Sequence, residues 1–83
     1  MKPESFKLFA ELKGMSLHKD DIAFIKRCLG FISYRERRKI LERYAEEWLK
    51  GMAQTDIVYA KQNFGRKRSN TWLREIVASE GKP

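Results

Sequence analysis

The sequence predicts an all-α fold, a compact bundle of four to five short helices in a single helical domain over residues 1–83. Three observations carry this. No segment of strand length alternates apolar and polar residues. The two prolines, Pro3 and Pro83, stand at the chain ends. Apolar residues recur at three- and four-residue spacing between glycines. With 42% hydrophobic and 12% aromatic residues, the chain has the apolar content to fold even though 35% of its residues are charged. A domain of this size buries only about 60% of the surface its unfolded chain exposes, so any function must share a small core.

The first helix is expected at Pro3 to Lys13, with Phe6, Phe9 and Ala10 on one face and Gly14 as its stop. In "SLHKDDIAFIKRCLG", Ser16 is the expected N-cap and Asp20 and Asp21 suit the positive end of a second helix. Leu17, Ile22, Ile25 and Leu29 form its stripe, and Gly30 closes it. The third and longest helix opens on a capping-box pattern, Ser33 with Glu36, and ends at Gly51. Leu41, Tyr44, Ala45, Trp48, Leu49 and Met52 share its apolar face. Arg38 with Glu42, Arg43 with Glu47, and Glu46 with Lys50 pair across the other.

Thr55 can cap a fourth helix, "DIVYAKQNF", whose stripe is Ile57, Ala60, Lys61 and Phe64. A fifth would run from about Arg68 or Ser69 to Ser79, anchored by Trp72, Leu73, Ile76 and Val77, before a fraying "SEGKP" tail. Between them stands Gly65. As a turn it makes a helix-turn-helix, which this stretch resembles only in the general motif; as an interior residue of one helix from Thr55 to Glu80 it costs about 1 kcal/mol relative to alanine.

Several function classes fit poorly. His18, the one histidine, has no nucleophile at a recognisable offset, and Asp20 and Asp21 already have an electrostatic role at a helix start. The glycines are spaced as helix punctuation, with no phosphate loop, and Cys28 reads as a small packed hydrophobe. No catalytic, cofactor or metal site is expected, and the chain is read as a non-enzyme. A lone cysteine, no signal peptide and no apolar run near the roughly 20 residues of a membrane span lead to the expectation of a soluble cytoplasmic protein.

The charge is the positive lead. Eighteen Lys and Arg against eleven Asp and Glu give +7 and a pI near 9.8, above the value of about 9 that marks candidate nucleic-acid binders. The expected contact set is Lys61, Arg66, Lys67, Arg68, Asn70, Thr71 and Arg74, with Arg35, Arg38 and Lys39 as a second phosphate clamp. Arginine and asparagine can read guanine and adenine edges bidentately, while lysine and threonine suit phosphate oxygens. Trp48 and Trp72 lie on apolar stripes and are expected in the core; Tyr34 and Tyr59 are the aromatics expected at the surface.

The leading reading is therefore a DNA-binding protein, a regulator or replication accessory on duplex DNA. The alternative is a basic adaptor or inhibitor, of the kind mobile genetic elements often carry, docking on an acidic protein surface. Homodimerisation, with Phe31, Ile32 and Tyr34 as the interface, would double the contacts in either case.

Overall fold

In the computed structural model the chain forms α1 (Pro3–Leu12), α2 (Lys19–Leu29), α3 (Tyr34–Met52), a 3₁₀ turn (Val58–Ala60) and α4 (Lys61–Glu80). The structure describes residues 3–30 and 32–80, and their side chains except at 3–5, 34 and 80. Phe31, the Tyr34 side chain and the tail beyond residue 80, all given parts in the sequence reading, lie outside this set. The all-helical expectation holds: among the described residues there is no strand. Among the described residues no helix is long and apolar enough to cross a membrane.

The start of the chain follows its sequence signals closely. α1 buries Phe6 and Ala10 and half-buries Phe9. Gly14, at φ 86°, takes the left-handed conformation that only glycine adopts cheaply. It closes a Schellman motif, in which the Met15 N–H donates to the Ala10 carbonyl and the Gly14 N–H to the Glu11 carbonyl, both at 3.0 Å. The cap of α2 falls two residues later than expected. His18, not Ser16, occupies the N-cap, and the Asp21 carboxylate accepts from its backbone N–H at 3.0 Å.

α3 begins after Ser33 as expected, though the Ser33 side chain makes no capping bond; its carbonyl accepts from Glu36 and Arg37. Leu41, Tyr44, Ala45 and Trp48 are buried on the predicted face. Of the predicted outer pairs, Arg38 to Glu42 forms at 3.3 Å. Arg43 instead lies 3.9 Å from Glu46, and Lys50 is 3.5 Å from Glu47.

The sequence reading fails at the α3–α4 connection, for two physical reasons. The stretch after Thr55 is no α-helix. Thr55 Oγ1 accepts from the Ile57 N–H at 3.1 Å, Ile57 is extended, and Ile57 and Phe64 of the expected stripe are exposed by 50% and 44%, while Tyr59, at 87%, is exposed as expected. The Lys61 ammonium then donates to the carbonyls of Met52 (3.2 Å) and Thr55 (2.7 Å), capping the end of α3. From Lys61 onward, moreover, the helix runs without a break through Gly65, so of the two alternatives for this glycine the interior helical residue holds and the helix-turn-helix bend does not form there.

α3 and α4 pack as an antiparallel pair. Gly51 sits against Phe64 and Gly65, Trp48 against Gln62, and Tyr44 against Ser69 and Asn70. A Cβ on Gly65 would fall 2.5 Å from Trp48 Cδ1 and 2.8 Å from its carbonyl oxygen. Gly65 thus sits where α4 approaches α3 closely, and this packing offsets the roughly 1 kcal/mol propensity loss. α1 and α2 lie across the pair: Phe6 meets Tyr44 edge-on at 6.0 Å between ring centres, and Ile25, Leu29 and Leu73 complete the same core.

Candidate nucleic-acid interface

The cations of the opening of α4 divide into those turned inward and those left in solvent. Arg66, expected to face outward, is turned inward. Its Nε donates to both oxygens of Asp21 (2.9 and 3.1 Å), Nη1 to Asn63 Oδ1 (3.0 Å) and Nη2 to the Ser16 carbonyl (2.9 Å), while the guanidinium lies 5.2 Å from the Trp48 ring centre. The Asp21 side chain is only 6% exposed, so the shared Nε–H and its positive charge compensate a charge that burial would otherwise penalise heavily. Lys61 caps α3. Asn70 Oδ1 accepts a 2.6 Å bond from the Tyr44 hydroxyl. These three residues hold the fold together, which corrects their expected outward presentation.

The remaining candidates stay at the surface. Lys67, Thr71 and Arg74 on α4 and Arg35, Arg38 and Lys39 on α3 are exposed, and Arg68 is half-buried. Arg74 lies 5.1 Å from the Phe24 ring centre, and Arg38 is paired with Glu42. Arg35, Lys39 and Lys67 make no ion pair with the described residues.

Two grooves organise this surface, and Trp72 is the wall between them. One, of about 410 Å³, is lined by Glu47, Gln54, Phe64, Lys67, Arg68, Thr71, Trp72 and Glu75. The other, of about 320 Å³, is lined by Ile32, Ser33, Glu36, Lys39, Ile40, Arg43, Trp72 and Ile76. Trp72 is half-buried, with the Arg43 guanidinium 5.9 Å from its ring centre. The antiparallel pairing thereby brings Lys39 of the α3 segment and Lys67, Arg68 and Thr71 of the α4 segment onto one face. Carboxylates temper it. Glu47, whose side chain is 8% exposed, lies 3.7 Å from Arg68 Nε and 3.5 Å from Lys50, with Glu36 and Glu75 nearby on the rims.

Other residues with roles in this architecture carry weak sequence signals. Gln62 Oε1 accepts from the Ser16 N–H (2.8 Å) and Trp48 Nε1 (2.9 Å), and its Nε2 donates to the Gly14 carbonyl (2.9 Å), tying the α1–α2 loop to the helical pair. Fully buried Ser69 donates to the Tyr44 carbonyl at 2.7 Å. A glutamine or serine on a polar stretch gives no hint of such partners.

Burial favours the neutral form of two ionisable core residues, Cys28 and Tyr44. Burial pushes the Cys28 thiol above its ordinary value, outweighing the opposing Arg27 and Arg74, so Cys28 has none of the thiolate character of a reactive cysteine. Burial, with a smaller push from Asp21, likewise raises the Tyr44 hydroxyl against the pull of Arg66. Among the described residues no three His, Cys, Asp or Glu side chains gather as metal ligands would. Compared with protein-family models, curated proteins and solved structures, the chain matches none of them.

Proposed function

We propose that this chain is a small non-enzymatic nucleic-acid-binding protein, acting on duplex DNA through the face that α3 and α4 share around Trp72. The observation that carries the reading is that Lys39 and the Lys67–Thr71 stretch, far apart in sequence, line two grooves meeting at one tryptophan. Binding rests on phosphate neutralisation, aided by the net charge of +7. With Arg66 and Asn70 engaged in the fold and Arg74 drawn to the Phe24 ring, away from both grooves, base reading on this face is left to Arg68, so phosphate contact outweighs base selectivity. The interleaved carboxylates restrict contact to a few phosphates, which keeps the salt dependence of the complex shallow.

Fluorescence anisotropy with random duplex and single-stranded oligonucleotides at two salt concentrations tests this. Each phosphate contact steepens the fall of log K with log salt by about 0.9 on duplex DNA. Lys39→Glu and Lys67→Glu are expected to flatten that slope and weaken binding. Absence of binding to either oligonucleotide at low salt would refute the reading and favour an adaptor that uses the same cations on an acidic protein.

A further inference from the structure

The Trp72 face contains one polar pair that the fold leaves unsatisfied. Glu47 Oε2 and Arg68 Nε are both sealed from solvent, stand 3.7 Å apart, and are the two buried side-chain polar atoms among the described residues that make no hydrogen bond. The gap is too long for a hydrogen bond and too short to hold a water between them. Lys50, 3.5 Å from the same oxygen, does not bond it either. A carboxylate whose side chain is only 8% exposed is rarely left this way unless a further group completes it.

Both atoms belong to residues lining the groove of about 410 Å³, and the rest of that lining selects the occupant. Its charged groups, Lys67 and Arg68 against Glu47 and Glu75, cancel, so a phosphate gains little by entering. Phe64 and Trp72 stand four residues to either side of Arg68 and give the groove aromatic ends against which a flat ring packs. The complement is a neutral planar ring whose edge sets donors beside an acceptor. Guanine has that edge: N1–H and N2–H are adjacent donors for a carboxylate, and O6 beside them accepts from an arginine N–H. Arg68, with a side chain 37% exposed and an Nε that bonds nothing, can swing outward to admit it. The groove on the other side of Trp72 offers no such pair. Its Ile32, expected at a dimer interface, is 7% exposed and belongs to the core.

We propose that this groove takes the Watson–Crick edge of an unpaired guanine, with Glu47 accepting from N1–H and N2–H and Arg68 donating to O6. This rests on the nucleic-acid reading above and names the base that the face selects. In a duplex the same edge is bonded to cytosine, so the guanine comes from an end, a mismatch or an extruded nucleotide. Lys39, in the adjoining groove, is placed to meet a flanking phosphate.

Titration of the full chain with guanosine, inosine and adenosine monophosphates, followed at the Trp72 indole N–H by NMR, tests the site without a polymer. The expected order of affinity is guanosine, then inosine, which lacks N2–H, then adenosine, whose N1 turns an acceptor toward the carboxylate. At least about tenfold should separate the first from the last. Glu47→Gln should erase the order with helix content unchanged, and the comparison on the unaltered chain stands even if that variant fails to fold. Equal affinities, no response to any of the three, or an order kept by folded Glu47→Gln overturns the proposal. Oligonucleotide binding alongside equal nucleotide affinities overturns it and leaves the DNA reading standing. A guanosine preference without oligonucleotide binding supports the guanine site and refutes the DNA reading.

Discussion

Gly51 and Gly65 face each other where α3 crosses α4: a Cβ added to Gly51 would stand 2.8 Å from Gly65 Cα and 2.6 Å from the Phe64 carbonyl oxygen. Gly51 lies in the last turn of α3 and Gly65 inside α4. Each is required because the partner helix occupies the space a side chain would need, and the buried Trp48 is laid across the same crossing.

Alanine substitution at the glycines should therefore sort by tertiary environment. Gly51→Ala and Gly65→Ala are each expected to destabilise by roughly 1–3 kcal/mol through overpacking, despite a helix-propensity gain of up to about 1 kcal/mol. Gly14→Ala meets no atom within 4 Å but inherits φ 86°, at about 1–2 kcal/mol. Gly30→Ala, with φ −58° and its nearest neighbour at 3.4 Å, should be close to neutral. Thermal unfolding followed by circular dichroism reads this order, with each kcal/mol worth about 4–8 °C. A neutral Gly51→Ala or Gly65→Ala would contradict the close crossing.

Arg66 and Lys67 are sequence neighbours with opposite expected phenotypes. Arg66→Ala leaves the buried Asp21 carboxylate without its countercharge and should cost about 2 kcal/mol or more in urea unfolding. Arg66→Lys should recover only part of that, since one ammonium cannot replace three donor positions. A cycle with Asp21→Asn should show strong coupling. Lys67→Glu should leave stability within about 0.5 kcal/mol while weakening DNA binding. Equal stabilities for the Arg66 and Lys67 variants would remove the distinction drawn between them.

Gln62→Ala removes the bridge between Gly14, Ser16 and the Trp48 indole. The loss should be roughly 1 kcal/mol, because the buried Trp48 indole N–H is left unsatisfied while water can replace the glutamine at the exposed Gly14 and Ser16 backbone. A shift in tryptophan fluorescence should accompany it, reporting the freed Nε1–H of Trp48; an unchanged emission spectrum with unchanged stability would argue against the bridge.

Alkaline pH should expose the protected phenol of Tyr44. Its folded pKa is raised by burial above the ordinary 10.0, so the folded state holds a proton that the unfolded state releases. Stability from this group is complete below pH 10.0 and declines as pH rises above it. Cys28, raised from 9.0, contributes in the same direction from a lower pH. The expected result is a fall in the urea midpoint above about pH 10 that is shallower in Tyr44→Phe, once that variant's own loss of the Asn70 bond is subtracted. Parallel curves for the two proteins would count against the burial of this hydroxyl as the cause.

The sequence by itself determined the helical class, the first three helices to within a few residues, and much of the core, because those features depend on local chemistry. Gly14 needs a left-handed φ, and Phe6, Tyr44 and Trp48 fall on stripes whose period is the helix's own. The candidate cations were legible as a set, but not by fate: Arg66 and Lys67 are identical to a count of charge. Only the tertiary structure decided that Arg66 turns to Asp21, 45 positions away, that Lys39 and Lys67 share the Trp72 face, and that Gly65 continues a helix. The physical reason is the same for all three. A guanidinium's partner, a groove between helices and the space beside a glycine are each set by what another segment brings to that point, and a local pattern carries no record of it.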